Sequence, residues 1–115
     1  MTIRTIVATI MLVAASASQA ELVGQSGLSI QTLLVDEDRY GGCMARLNGF
    51  NNPPGCGSSW VTFDCEGLHG SKEAGRRTLE AAQLAFALEK PIYVVVETTE
   101  TINGYCKVKR IDVIR

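Results

Sequence analysis

Residues 60–97 read WVTFDCEGLHGSKEAGRRTLEAAQLAFALEKPIYVVVE, and this stretch decides the fold. It begins with residues 60–65, which alternate in the period-two pattern of a half-buried strand. The middle is rich in Ala, Leu and Glu, which favour a helix. Pro91 disfavours the helical conformation at the residue before it. The Val-rich run at 92–97 lacks alternation, as in a strand that is covered on both faces. The stretch therefore predicts a strand, a helix and a second strand.

A helix is predicted to follow Ser71, whose hydroxyl can cap its N-terminus. Residues 76–90 of this helix contain no Gly or Pro. Apolar and small residues recur at helical spacing, which predicts the side of the helix that faces the core. This predicted core-facing stripe consists of Ala74, Thr78, Ala81, Leu84, Ala85 and Leu88.

Three further strands are predicted over residues 28–35, 43–47 and 105–114, with Asn103-Gly104 as the turn that ends the link over 98–104. The fold class is therefore mainly β. Five short strands with one helix between the third and fourth is the chain order of a small Greek-key barrel of the OB type. The alternative is a five-stranded α+β sheet with the helix packed on one face.

The first twenty residues have the parts of a cleavable secretory signal. Arg4 supplies a positive start, residues 6–15 are mostly apolar, and Ser18 and Ala20 place small residues before a cleavage site. The apolar run is about half of the roughly 20 residues that a membrane anchor needs. The predicted organisation is a signal peptide over 1–20, a flexible lead-in over 21–27 and one disulfide-stapled domain over 28–115.

Four cysteines, Cys43, Cys56, Cys65 and Cys106, follow the predicted signal. An even number of cysteines in an exported domain of about 95 residues indicates two disulfides. The rival interpretation is a zinc site, but the chain has no C-x2-C pair and a single histidine, His69. We therefore predict no metal and no other cofactor.

Four cysteines allow three pairings. In an antiparallel hairpin of residues 43–47 and 60–65, Cys43 and Cys65 lie at the same end. Cys56 lies in the loop at the other end, and in an OB barrel the fifth strand is parallel to the third, which brings Cys106 near it. Bridged Cα atoms must lie within about 7 Å. If the sheet is such a barrel, the pairs Cys43–Cys65 and Cys56–Cys106 are favoured.

The charge balance argues against nucleic acid as a partner. The chain has 11 Lys and Arg against 12 Asp and Glu, and removal of Arg4 with the signal moves the net charge from −1 to −2. Nucleic-acid binders present a basic face instead. After residue 20 no segment could span a bilayer. We therefore predict neither nucleic acid nor a membrane as a partner of the mature chain.

Asp64, His69 and Ser71 lie within eight residues, which suggests a hydrolase triad. Triads are recognised by geometry rather than by proximity in sequence. Ser71 already serves as a helix cap, and the chain has no G-x-S-x-G motif. We therefore predict that the protein is not an enzyme.

Aromatic and amide side chains flank the predicted loops. Aromatic faces supply apolar area and amides orient hydrogen bonds, as in sugar and peptide sites. The alternative is that the rings plug the core and the asparagines only form turns, and Trp60 is interpreted in this way. The candidate binding surface consists of Tyr40, Phe50, Asn51, Asn52, Asn103 and Tyr105.

The segments at 60–65, 71–72, 81–87 and 103–106 resemble, in order and spacing, a set of small exported proteins of Gram-negative bacteria that have no assigned function. This resemblance covers residues 43–114. More distantly, the element order is similar to that of the OB-fold B subunits of pentamer-forming bacterial toxins, which bind cell-surface sugars. The second resemblance rests on element order alone and includes no sugar-contact motif.

The sequence thus predicts an exported, non-enzymatic binding module, located in the periplasm or secreted, whose ligand is a carbohydrate or a protein partner. The alternative is a structural or inhibitory protein that acts through protein–protein contact, including contact between copies of itself as a homo-oligomer.

Overall fold

A computed structural model of the chain describes Thr9 and residues 21–115. The predicted signal peptide, residues 1–20, lies outside the described residues except for Thr9. In chain order the described elements are β1 (Leu22–Val35), a 3-10 turn (Tyr40–Gly42), β2 (Cys43–Asn48), β3 (Trp60–Thr62), α1 (Lys72–Ala87), β4 (Ile92–Ile102) and β5 (Tyr105–Val113).

The strands form one mixed sheet that closes into a ring in the order β1-β2-β3-β5-β4. β3 and β5 are parallel through Thr62 and Lys107, whereas the other neighbours are antiparallel. The helix α1 connects β3 to β4 and packs mainly against β5 and β1. The prediction of a mainly β fold, with five strands and one helix between the third and fourth, is confirmed.

β1 begins earlier than predicted. The sequence predicts a flexible lead-in over residues 21–27, but Leu22 already pairs with Glu97 of β4, so this prediction is wrong and the domain begins at Leu22. The ring can close only if β4 has an antiparallel neighbour on this side, because its backbone groups need partners. The small residues that suggested a loop allow the strand to bend. The register of the β1–β4 pairing shifts between Gln25 and Leu28, where Gly27 has a φ of +69°.

β3 is shorter and β4 is longer than predicted. β3 ends at Thr62 because the chain turns away at Asp64, which has a φ of +56°. β4 continues through most of the predicted link over 98–104, so the connection to β5 is reduced to the turn at Asn103-Gly104. Both turn residues have positive φ, 53° and 82°, as a two-residue hairpin requires.

The helix starts where its cap predicts. The Ser71 hydroxyl oxygen accepts a hydrogen bond from the backbone N–H of Ala74 at 3.0 Å, so α1 begins at Lys72, directly after the predicted cap. It ends at Ala87, before Pro91.

The side of α1 that faces the core differs from the predicted stripe. Leu84 and Leu88 are 54% and 56% exposed, whereas the buried positions are Gly75, Ala82 and Ala85. Ala82 and Ala85 belong to the buried core, whereas Gly75 lies against the backbone that follows β3. A Cβ atom at Gly75 would lie 2.3 Å from a carbonyl oxygen there. This close approach turns the leucines towards solvent.

Two disulfides, Cys43–Cys65 and Cys56–Cys106, cross-link the ring, and these are the pairs that the hairpin geometry favours. Such bridges are typical of proteins in an oxidising compartment. Over residues 21–115, no helix is long and apolar enough to cross a membrane. The buried apolar core inside the ring consists of Leu28, Cys43, Ala45, Leu47, Phe50, Val61, Phe63, Ala82, Ala85, Ile92, Val94, Val96, Cys106 and Val108.

Candidate binding pocket

β2 places alternate side chains inside and outside the ring. Cys43, Ala45 and Leu47 point inward and belong to the core. Met44 and Arg46 therefore lie on the outer face, where Arg46 is exposed but Met44 is only 2% exposed. An outward residue that is this well buried must be covered by side chains from outside the ring.

The cover of Met44 consists of three aromatic rings and one leucine. Leu34 lies opposite Met44 in β1, and Trp60 lies in β3 two residue pairs further along, opposite Arg46. The rings and the two aliphatic side chains enclose a cavity of about 190 Å³, which we call the aromatic pocket. It is lined by Leu34, Tyr40, Met44, Trp60 and Tyr105.

Tyr40 enters the aromatic pocket from the 3-10 turn between β1 and β2. The hydroxyl of Thr62 donates a hydrogen bond to the Tyr40 carbonyl oxygen at 2.8 Å and so ties the turn to β3. Gly41 leaves room for this approach, because a Cβ atom there would lie 2.9 Å from the same hydroxyl oxygen. The turn is thereby held in one position relative to the sheet.

Tyr105 is held by the loop that follows β2. It precedes Cys106, which is bridged to Cys56 of that loop. Gly57 lies against the Tyr105 ring, where a Cβ atom would be 2.9 Å from two ring carbons. The N–H of Gly57 also donates to the carbonyl oxygen of Gly104 at 2.7 Å. The Cys56–Cys106 disulfide therefore positions one wall of the aromatic pocket.

The two tyrosines meet edge to face, with ring centroids 6.1 Å apart and planes at 71°. Such pairs contribute about 0.5–1.5 kcal/mol beyond their buried area. Tyr40 lies in the connection from β1 to β2, and Tyr105 begins β5 directly after the turn from β4. The tyrosine pair therefore links these two connections across the outer face of the sheet.

The connection before Tyr40 is acidic. One carboxylate oxygen of Asp36 accepts the backbone N–H groups of Asp38 and Arg39 at 2.9 and 3.0 Å, which orders the turn. Glu37 and Asp38 are exposed beside it. Three carboxylates against the guanidinium of Arg39 make this connection net negative directly before Tyr40 in the chain, and we call residues 36–38 the acidic turn.

The structure divides the predicted binding surface. Tyr40 and Tyr105 are brought together, and Trp60, interpreted from sequence as core, is half-buried and joins them. Phe50 is 8% exposed and packs in the core, so its prediction as a surface ring is wrong. The loop that bears Phe50 folds back onto the end of the ring, which draws the side chain inward. Sequence reasoning missed Met44, although the alternation of Met44 and Arg46 with the inward residues of β2 indicated an outward position.

The predicted asparagines do not line the aromatic pocket. The backbone N–H and carbonyl of Asn51 are both hydrogen-bonded by the side-chain amide of Gln25 in β1. The Asn52 side-chain oxygen accepts the N–H of Ser59 at 2.7 Å. Asn103 forms the turn before β5. These residues shape the loops that carry the rings.

A polar cluster lies where β3 ends. Asp64 is 1% exposed, and its carboxylate accepts two backbone N–H groups of the following loop at 2.8 Å each. Lys107 Nζ lies 3.8 Å from that carboxylate and donates to the His69 carbonyl oxygen at 3.1 Å. The His69 ring Nε2 is 2.9 Å from the Thr101 carbonyl oxygen. Asp64 and His69 thus have structural partners, as Ser71 has in its helix cap.

Glu97 is a second buried carboxylate, 2% exposed. It accepts hydrogen bonds from the Thr99 hydroxyl at 2.6 Å and from the Thr99 N–H at 3.1 Å. The hydroxyl bond lowers the pKa of Glu97 from its ordinary value of 4.5, against burial, which raises it. The group is therefore ionised at neutral pH and helps to fix β4.

No protein-family model, no curated protein and no solved structure matches the chain. In the part of the chain that the structure describes, no group of three or more His, Cys, Asp or Glu side chains is placed to hold a metal ion. A function must therefore be argued from the aromatic pocket and its surroundings.

Proposed function

We propose that the protein is an exported, non-enzymatic binding module that takes a carbohydrate or a protein partner in the aromatic pocket. One observation carries this proposal: Tyr40, Trp60 and Tyr105 come from three separate parts of the chain and converge on one cavity. Rings placed in this way offer apolar area, and their polar edges orient a ligand.

The position of the aromatic pocket supports the same conclusion. It lies on the outer face of β1, β2 and β3, between the connection from β1 to β2 and the turn from β4 to β5. We assign the ring to the OB type, in which the face of the second and third strands and these two loops bind ligands. This is an analogy of fold and supports a binding role rather than a particular ligand.

The proposed compartment is the periplasm or the medium. It rests on the apolar run at 6–15, the small residues Ser18 and Ala20, and the two disulfides. The net charge of −2 after signal removal and the acidic turn speak against a polyanionic ligand such as nucleic acid. No membrane attachment is proposed for the mature protein.

A photo-crosslinking experiment tests the binding role. In the host from which the protein comes, a photoreactive amino acid replaces Arg46, which is exposed beside Trp60. In a second assay, the mature protein is applied to a glycan array. We expect a discrete protein adduct or a glycan signal that Tyr105→Ala removes. Tyr93→Ala, which removes a half-buried tyrosine of β4 outside the aromatic pocket, is the matched control and should leave the signal unchanged. A signal that survives Tyr105→Ala would place binding elsewhere and refute the proposal.

A second candidate is a structural or inhibitory role through protein–protein contact. Leu84 and Phe86 near the end of α1 and Leu88 at its C-cap are 54%, 45% and 56% exposed, and neighbouring exposed apolar residues are typical of contact surfaces. A homo-oligomer is one such contact. Light scattering that gives a dimer or larger ring, lost in Leu84→Glu, together with no ligand at the aromatic pocket, would favour this role.

A further inference from the structure

We infer that the aromatic pocket binds an extended, proline-containing segment of a partner protein, with a basic residue of that segment beside the acidic turn. This rests on the proposed function and chooses between its two ligand classes. The choice follows from the size of the cavity, the chemistry of its lining, the pairing of the strands beneath it and the charge at its edge.

The size of the cavity limits what can enter. Sites that enclose whole small molecules have volumes of about 300–1,000 Å³. The aromatic pocket has about 190 Å³, enough for one side chain or one sugar ring. The ligand is therefore a part of something larger, which lies along the outer face of the ring.

The lining then separates a peptide from a sugar. A sugar ring carries several hydroxyl groups, each of which loses free energy when it is buried without a hydrogen bond. The aromatic pocket is lined by a leucine, a methionine and three aromatic side chains, and no amide, carboxylate or guanidinium takes part. Its side-chain polar groups are two hydroxyls and one indole N–H, too few to satisfy every hydroxyl of a buried sugar ring. This surface suits a pyrrolidine ring or an aliphatic side chain, which has no polar group to satisfy.

The polar edges of the rings suit a peptide backbone. Within residues 21–115, none of the side-chain hydrogen bonds between protein groups uses the hydroxyls of Tyr40 and Tyr105 or the Trp60 indole N–H. A polyproline II segment makes no internal hydrogen bonds, and its carbonyl oxygens remain free to accept them. Aromatic-lined grooves recognise such segments at a low entropic cost because the segment is already extended.

Strand addition is not available at this place. β1 and β2, which lie under the aromatic pocket, each have a strand neighbour on both sides. Their backbone groups are already paired, so an extended peptide above them must be recognised through side chains. A polyproline II segment meets this condition, whereas a β-strand ligand would need a free edge.

The negative charge of the acidic turn sets the orientation of the bound proline-containing segment. Glu37 and Asp38 are exposed in the connection that delivers Tyr40. A lysine or arginine next to the prolines would pair with them, and an acidic residue there would be repelled.

Fluorescence provides the test, because Trp60 is the only tryptophan of the chain. The mature protein, with both disulfides intact, is titrated with acetyl-(Pro)8-Lys-Lys-amide. We expect a saturable change in Trp60 emission. The peptide acetyl-(Pro)8-Glu-Glu-amide should bind about threefold more weakly, as for an exposed ion pair. Acetyl-(Ser-Gly)4-Lys-Lys-amide, which keeps only the charges, should give no saturation.

Variants and a sugar arm make the outcome decisive. Tyr105→Ala should weaken the proline peptide at least about tenfold, as for an aromatic anchor, and Tyr105→Phe should retain most of the binding. Tyr93→Ala, outside the aromatic pocket, should match the wild-type protein. No saturable response to either proline peptide overturns the inference. Saturable binding of chitohexaose that Tyr105→Ala abolishes, with no response to proline, overturns the inference and leaves the proposed function standing. Binding of the proline peptide that ignores Tyr105→Ala overturns the assignment to this pocket.

Discussion

Replacing Gly75 by alanine should destabilise the protein, although the same change stabilises most helices. The gain in helix propensity is about 1 kcal/mol. Against it, the new Cβ atom would lie 2.3 Å from the Asp64 carbonyl oxygen and 2.7 Å from that of Phe63. Both are backbone atoms, so α1 must move by about 1 Å to reach an ordinary contact of 3.4 Å. Overpacking costs about 1–3 kcal/mol and occasionally more. Because both clashing atoms belong to the backbone, we take the upper end, about 3 kcal/mol, which leaves a net loss of about 2 kcal/mol.

Urea unfolding with the disulfides intact, followed by Trp60 emission and far-ultraviolet circular dichroism, measures this loss. Gln83→Ala is the matched control, since Gln83 is exposed on the same helix and its replacement should change the free energy of unfolding by less than about 0.5 kcal/mol. A Gly75→Ala protein as stable as the wild type would refute the close approach of α1 to the end of β3. It would also remove the physical reason for the exposure of Leu84 and Leu88.

Replacing Cys56 and Cys106 together by serine should lower the free energy of unfolding by about 4 kcal/mol on the chain-entropy model, because the bridge spans a separation of 50 residues; a loss below about 1 kcal/mol in denaturant unfolding would contradict it. Because the pKa of Glu97 is lowered, its stabilising contribution is present above the ordinary value of 4.5 and is lost as the pH falls through the folded-state value. The Glu97→Gln protein should therefore lose less stability than the wild type between about pH 5 and pH 3. An equal drop in melting temperature for both proteins over this range would count against the prediction. The intact mass of the protein exported by a bacterial host should be that of a chain beginning at Glu21. A mass that includes residues 1–20 would reject the signal peptide.

The sequence predicted the features that depend on local pattern. Ser71 has the side chain of a helix cap, and Asn103-Gly104 has the pair that a two-residue turn requires, so these positions could be read directly. The cap and the turn needed no knowledge of how the elements pack. The disulfide pairs followed from the predicted hairpin together with the parallel third and fifth strands of an OB-type barrel, so that prediction depended on the strand order as well.

The features that the sequence did not predict depend on packing between distant elements. The buried side of α1 is set by the approach of Gly75 to the backbone after β3, which outweighs the larger apolar area of Leu84 and Leu88. Residues 21–27 have the composition of a loop, but residues 22–25 form a strand because they pair with β4 and close the sheet. Met44 looks like an ordinary half-buried strand residue until rings from other parts of the chain cover it.

The most direct test of the central claim uses the methyl group of Met44, which is the only methionine from Glu21 onward. Labelling the mature protein with [ε-13C]methionine gives one methyl signal, from the floor of the aromatic pocket. We predict an upfield ring-current shift, nuclear Overhauser contacts to Tyr40, Trp60 and Tyr105, and a further shift when acetyl-(Pro)8-Lys-Lys-amide or another ligand binds. A methyl signal at the random-coil position, without contacts to the rings and unchanged by every ligand that binds the protein, would contradict the aromatic pocket and the function built on it.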